Sequence, residues 1–388
     1  MVKTKSVNVA LIGCGKIGSG FVRHYQEKRG KYQRRGIDIN LGPIVDTNPK
    51  ALEPFADGFR TGTEYHKILS DSSIDIVVQL IGGKTHAPQI MRDVLNSRKH
   101  LVTANKDTID TYGPQLAEMA EMNRRCLRFG AAVGGIIPII RNIKDELAAN
   151  DTHTLFGILN GTCNYIMTQM SEGQEFEAAL QGAIKQGFAE PVYKSDVEGN
   201  DTAYKFAILS SLALDAIISA DQIPILEGIA RVEGEGDEMK AIPTVRAEDM
   251  GYAKSMGYAI KLVGAVHLQE DGRVSIGVYP ALLPLDHGLA CVDESFNAIH
   301  LAGEGDVTIR GQGAGARPTA AAVMADVLSI ARNPDDYESP FVDRDVGIVP
   351  REEMVSRFYL RFVCSDYKLS EPVLRDLGIP HHGIHDGA

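Results

Sequence analysis

The sequence predicts an α/β protein, a doubly wound parallel sheet followed by an α+β domain, and three observations predict it. A short apolar run rich in β-branched residues, Val7–Ile12, ends in the glycine turn Gly13-Cys14-Gly15-Lys16-Ile17-Gly18. Up to Pro138, apolar strand-like runs alternate with helix-like segments, the pattern of strands buried on both faces by crossover helices. Beyond Pro138 several helices come first, and then two alternating runs, Ala259–His267 and Arg273–Val278, that suggest antiparallel strands. A glycine turn between a first strand and a first helix makes the parallel sheet one of Rossmann type.

The elements follow in order. After the glycine turn, Phe21–Lys28 reads as helix and Leu41–Val45 as a second strand, stopped by Asp46-Thr47-Asn48-Pro49. Ile74–Ile81, Leu101–Thr103 and Cys126–Phe129 read as further strands. Between them, Pro88–Leu95 and Pro114–Met122 read as helices, each starting at a proline, which suits a first helical turn. Ile139–Ala149 reads as an amphipathic helix. Thr154–Leu159 reads as a strand ending in Asn160-Gly161-Thr162. Helices are expected at Asn164–Met170, Phe176–Gln186 and Ala203–Leu214. A second glycine cluster, Gly311–Gly315, precedes the helix Thr319–Arg332, and Asn333-Pro334-Asp335-Asp336 ends that helix and opens a linker. The expected organisation is a dinucleotide-binding domain over 1–140, completed by a helix at 315–335. A substrate domain covers 141–314, and a tail covers 345–388.

The bulk properties narrow the function. A chain of 388 residues is too long for one ordinary core. A net charge of −11 opposes non-specific nucleic-acid binding, which needs clustered Lys and Arg. The five cysteines are scattered and suggest neither a disulfide framework nor a zinc site. The histidines show no metal-ligand spacing; His381, His382 and His385 lie among glycines and proline. No apolar stretch approaches the roughly 20 residues that span a bilayer, and the N-terminus lacks the apolar core of a signal peptide. A cytoplasmic protein is expected.

Four segments carry candidate chemistry. In Gly13-x-Gly15-x-x-Gly18 the first glycine permits a tight turn, the second lets a pyrophosphate approach, and the third lets helix and strand pack closely. The N–H groups of the helix start, around Lys16 and Ile17, then face the phosphates. Asp46 ends the second strand; there a carboxylate accepts from ribose hydroxyls and repels a 2′-phosphate, which favours NAD over NADP. Thr103-Ala104-Asn105-Lys106 lies at the carboxyl edge of the sheet, where ligands bind. Finally, Asp196, Glu198 and Asp201 lead into an apolar helix that carries Lys205 one turn after Asp201. A lysine beside carboxylates can exchange protons with a substrate oxygen. A calcium-like acidic loop or a salt-bridged helix start would look the same at this stage.

Taken together, these segments resemble the homoserine dehydrogenase family. The resemblance rests on the glycine turn, Ala104-Asn105-Lys106, Ala132-Val133-Gly134-Gly135 with Ile137-Pro138-Ile139-Ile140, and Gly157-Ile158-Leu159-Asn160-Gly161-Thr162. It is completed by the run Gly187–Lys205 and by Gly311-Gln312-Gly313-Ala314-Gly315 with Pro318-Thr319. The resemblance implies hydride transfer between NAD or NADP and the couple L-homoserine/L-aspartate 4-semialdehyde. It implies Lys205 as proton donor, Lys106 as orienting residue, and Glu190, Asp196 and Asp201 around the substrate. It also implies Thr103, Gly187 and Gly313 beside the cofactor, and a homodimer formed through the second domain. A sodium or potassium ion on the carbonyls of Val133, Gly135 and Ile137 is implied too. The chain departs from the family pattern in three places. Gly130 stands where a cation-binding glutamate is common, and Ile136 replaces a glycine. The tail resembles an ACT module in Phe358–Phe362 and Glu371–Leu377 but is too short for all of it. Gly130 and Ile136 keep open a dehydrogenase of the same architecture for another small hydroxy or amino-alcohol substrate. A non-catalytic nucleotide-binding protein is the remaining alternative.

Overall fold

The computed structural model describes residues 4–189, 193–225 and 245–354. The first sheet is built from β1 (Lys5–Ile12), β2 (Ile37–Val45), β3 (Thr61–Gly62), β4 (Ile76–Gln79), β5 (His100–Thr103) and β6 (Leu127–Arg128). All pairings are parallel, in the order β3-β2-β1-β4-β5-β6. The order reverses between β1 and β4, which opens a crevice at their carboxyl ends. Every residue of β4 and β5 is buried, as expected for strands covered on both faces. The crossover helices are α1 (Lys16–Arg34), α2 (Ala87–Asn96) and α3 (Lys106–Met122).

The second sheet contains β7 (Thr154–Ile158), β8 (Tyr258–Leu268), β9 (Val274–Pro284), β10 (Phe296–Ala302) and β11 (Val307–Gln312). It is antiparallel throughout, in the order β11-β10-β7-β8-β9. Its helices are α4 (Gly161–Ser171), α5 (Phe176–Gln186), α6 (Asn200–Ala213) and α7 (Ala247–Ser255). The helix α6 lies so close to the sheet that a side chain at Gly264 would meet the Phe206 ring at 2.2 Å. The last helix, α8 (Ala316–Arg332), returns to the first sheet and packs on α1, where Gly20 lets Ala316 approach.

Four sequence expectations change. The helix expected from Pro114 starts at Lys106, with Pro114 inside it. The Asn105 side chain caps it, and burial of Ile109 and Leu116 outweighs the backbone bond that proline removes. The helix expected over Ile139–Ala149 is instead one turn, Ile139–Arg141, running into a π-helical turn, Asn142–Glu146. The strands β10 and β11 were not legible, because β11 has no buried face of its own and takes its register from β10. The stretch after Asn333 is not a free linker. Phe341 stacks on Phe129 with ring centroids 5.6 Å apart, Arg344 accepts a bond from Ile217, and Ile348 pairs with Val274. The ACT-like segments, Phe358–Phe362 and Glu371–Leu377, lie outside the described residues, as does Glu190. No helix among the described residues is long and apolar enough to cross a membrane.

Candidate active site

The glycine turn is dictated by sterics. Gly13 has φ +96°, and a Cβ there would lie 2.9 Å from the Leu80 carbonyl carbon. A Cβ at Gly18 would fall 2.0 Å from the Gly13 oxygen, so only glycine lets α1 start this close to β1. Gly15 is exposed and has open space where a side chain would stand. No side chain caps α1, and an uncapped helix start is a place where an anion is received. Lys16 is exposed at that turn and Ile17 half-buried. Burial, followed by the Asp46 charge, pushes the Cys14 thiol up to about 11, which makes it an inert packing residue. The Asp46 carboxylate accepts the Cys14 N–H at 2.6 Å and the Asn48 N–H at 2.8 Å. It therefore stands at the end of β2 against the glycine turn, on the side expected for an adenosine ribose.

Across the crevice, Thr103 is fully buried. Its hydroxyl donates to Gln79 at 3.0 Å and accepts from the Asn105 N–H at 3.1 Å. Through these bonds the Thr103 hydroxyl shapes the β5 edge. Asn105 accepts the Thr108 N–H and donates to the Ile81 and Gly83 carbonyls at 3.1 and 2.8 Å. One side chain therefore fixes the loop after β4 and the start of α3, where Lys106 projects.

The second domain brings its polar groups to the same place. Gly199, at φ +87°, turns the chain into α6, putting Asp201 in the first turn and Lys205 four residues later. Asp201 is 7% exposed. Its Oδ2 accepts from Lys205 Nζ at 2.7 Å and from Asn160 Nδ2 at 2.8 Å, and its Oδ1 lies 3.2 Å from Lys106 Nζ. Burial alone would raise this carboxyl, but the Lys205 and Lys106 charges reverse that and hold it at about 2. Burial would lower the Lys106 ammonium, and the Asp201 and Asp107 charges more than offset it, leaving its pKa raised. Asp196 accepts from the same Asn160 amide at 2.8 Å, and burial and then the Asp201 charge push its carboxyl up. Lys205 also donates to the Leu159 carbonyl at 2.8 Å.

The structure thus gathers Lys106, Asp196, Asp201 and Lys205 from both domains. This excludes the calcium-like reading of the acidic loop, since two ammonium groups surround Asp201. Among the described residues, no group of three or more His, Cys, Asp or Glu side chains is placed to hold a metal ion. Gly187 is the left-handed end of α5, at φ +76°, and is exposed. Gly313 is buried at the end of β11 against the Asn297 amide. Sequence reasoning missed Asn160 as a site residue, although an Asn-Gly pair closing a strand signals a helix cap. Its Oδ1 caps α4 through the Cys163 N–H while its Nδ2 holds both aspartates. It also missed Lys84, whose ammonium sits over the Tyr204 ring at 4.7 Å and joins the loop after β4 to α6.

The turn 130–137 explains two of the departures. The Gly130 N–H donates to Asp326 Oδ2 at 2.8 Å, and a Cβ at Gly130 would lie 2.8 Å from Asp326 Oδ1. A carboxylate from α8 therefore occupies the space that a side chain at position 130 would need. Burial pushes Asp326 up to about 6. Gly134 and Gly135 are left-handed, and Gly135 packs against Gln312 and Gly313. Ile136 directs its bulk outward, 43% exposed, while its N–H donates to the Gln312 carbonyl at 3.2 Å.

Comparison with known proteins gives the family. Residues 13–130 match the family described as homoserine dehydrogenase, NAD binding domain, and residues 138–328 match the one described as homoserine dehydrogenase. The chain is similar to a homoserine dehydrogenase of Synechocystis sp., 35% identical over 93% of this chain and 84% of the relative. It is similar to one of Bacillus subtilis, 34% identical over 85% and 74%. Among solved structures it resembles a homoserine dehydrogenase of Thiobacillus denitrificans with a TM-score of 0.82 at 31% identity, over 91% of this chain and 82% of that one. With a nicotinamide-binding domain, a lysine–carboxylate cleft and this similarity across both domains, the chain belongs to the homoserine dehydrogenase family.

Proposed function

We propose that the cleft interconverts L-homoserine and L-aspartate 4-semialdehyde, with Lys205 as the group that exchanges a proton with the substrate oxygen. The observation that supports this most is the shared Asp201 carboxylate, which draws Lys205 and Lys106 to one point at the sheet edge. When bound, the nicotinamide supplies or accepts the hydride. In the reducing direction, Lys205 gives its proton to the oxygen that gains negative charge, and in the oxidising direction it takes that proton back. Lys106 stands ready to orient the same oxygen, and a fixed ammonium beside a developing oxyanion needs little reorganisation. Asp201 holds both lysines in place and keeps its own charge. Asp196 and Glu190 supply acceptors for the substrate ammonium. The glycine turn and the start of α1 receive the pyrophosphate, with Gly187 and the Gly313 backbone alongside the cofactor. Initial rates with homoserine and either nicotinamide test this reading. Turnover of another amino alcohol in place of homoserine would favour the alternative substrate.

The Asp46 carboxylate beside the glycine turn favours NAD over NADP. Replacing Asp46 with Ala raises the NADP/NAD ratio of kcat/KM by about tenfold or more, as removal of one charge repulsion allows. NAD binding also weakens, because Cys14 and Asn48 lose their acceptor. An unchanged ratio in steady-state rates would remove Asp46 from cofactor selection.

A monovalent cation on the carbonyls of Val133, Gly135 and Ile137 stays a proposal of the family resemblance. The Ile137 carbonyl accepts the Ile139 N–H at 2.8 Å, which leaves one lone pair for such an ion. The carboxylate at this turn, Asp326, is used by the Gly130 and Ala131 backbone and lies near the Arg141 and Arg128 charges. No step of the reaction is assigned to such an ion. Half-exposed Phe156, Tyr279 and His300 over a small apolar cluster, on the sheet face opposite the helices, support a homodimer formed through that face. Sedimentation equilibrium should give twice the chain mass, and His300→Glu should shift the species toward the monomer; a monomer in the wild type refutes the placement.

A further inference from the structure

Asn297 is a polar side chain in an apolar place. It lies on β10 beside Ile299 and Leu301 and has no exposed surface. Only half of its amide has a partner. Nδ2 donates to the Leu159 carbonyl at 2.9 Å, while Oδ1 meets no donor. A buried acceptor without a donor destabilises a fold, so such a group persists where another requirement outweighs it. The requirement is visible at Leu159. A carbonyl oxygen has two lone pairs, and this one accepts from Asn297 Nδ2 and from Lys205 Nζ at 2.8 Å. The other flank of the same amide meets the second glycine cluster. A Cβ at Gly313 would lie 1.9 Å from Asn297 Nδ2, so the amide fills the volume which that glycine leaves open. Gly313 also packs against Gly135 of the 130–137 turn. One buried amide thus touches both the carbonyl that aims Lys205 and the backbone that borders the expected cofactor.

We propose that Asn297 is a positioning residue of the reaction: its amide aims the Leu159 carbonyl, and through it the Lys205 ammonium, relative to the backbone at Gly313. The proposal rests on Lys205 being the proton-exchanging group. Asn297→Ala removes the donor and the partnerless acceptor together, so the fold survives. A displaced proton-transfer group lowers kcat for homoserine oxidation by about 10- to 100-fold, while KM for the nicotinamide changes by less than roughly threefold. Asn297→Asp keeps the volume but lacks the Nδ2 donor, so it shows the same split: kcat falls while KM for the nicotinamide holds. A kcat loss in both variants, with melting temperatures near that of the wild type, supports the proposal. A wild-type kcat in Asn297→Ala overturns it. So does a fall in kcat that only parallels lost stability, or one matched by an equal rise in KM for the nicotinamide. Lys205→Ala is measured alongside. If that variant keeps its kcat, the proton-exchange reading fails. If it is inactive while Asn297→Ala is normal, only the positioning role fails.

Discussion

Replacing Lys205 with Ala lowers kcat for homoserine oxidation by about a thousandfold, within the range known for removal of a general acid–base group. Cofactor binding stays near normal, because the glycine turn and the start of α1 are untouched. The loss sits in kcat rather than in KM, since the proton moves only as the reaction proceeds. Lys205→Arg does not restore the rate. A guanidinium holds its proton throughout the working pH range and cannot take one from the substrate hydroxyl. Steady-state rates together with a nicotinamide titration by fluorescence check the split. An unaltered kcat in Lys205→Ala would remove this lysine from the chemistry and leave Lys106 as the candidate.

Asp201→Asn has a different signature, because it damages both rate and stability. In the wild type one carboxylate pairs with two ammonium groups, Lys106 also facing Asp107, and is itself held by Asn160. Its folded pKa, about 2, lies below its unfolded value. Such a group contributes stability that is complete above about pH 5 and is lost as pH falls through the folded value. With asparagine there, Lys205 and Lys106 face one another without the shared charge. Leaving buried ions uncompensated costs about 3–5 kcal/mol. At Lys106 only the Asp107 charge then still opposes burial, so its pKa falls relative to the wild type. The stability deficit of Asp201→Asn therefore shrinks as pH rises toward the lysine range, where an ammonium can become neutral. Thermal melts of both proteins across pH 6–10 (the span is set by ordinary lysine titration) check the sign. A deficit that grows with pH would show that Asp201 does not neutralise these lysines. The variant also loses kcat by about 100-fold or more, because Lys205 is no longer aimed.

Lys205 and Asp201 were legible as a pair because four residues on a helix are one turn, and the apolar run after Gly199 announced the helix. Lys106 was legible as an edge residue but not as the partner of Asp201, since nothing local connects positions 106 and 201. Asp46 was legible as the end of a strand, whereas its bonds to the Cys14 and Asn48 backbone depend on how β2 sits against the glycine turn. Thr103 was legible as an edge residue, whereas the use of its hydroxyl by Gln79 and Asn105 depends on how β4 and the start of α3 meet β5. Gly130 looked like a missing charge, and only the packing of α8 shows that Asp326 fills its space.

The sequence by itself determined the glycine turn, the parallel first sheet and the family. Those rest on local physics: a backbone at φ +96° admits little besides glycine, and strands buried on both faces must be apolar. The tertiary structure alone decided which groups meet. That Asp201 joins Lys106, that Asn160 holds two aspartates, and that Asn297 shares the Leu159 carbonyl with Lys205 are contacts between distant segments. Hydrogen bonds and buried ion pairs act over a few ångströms of space, and the order of residues along a chain carries no record of those distances.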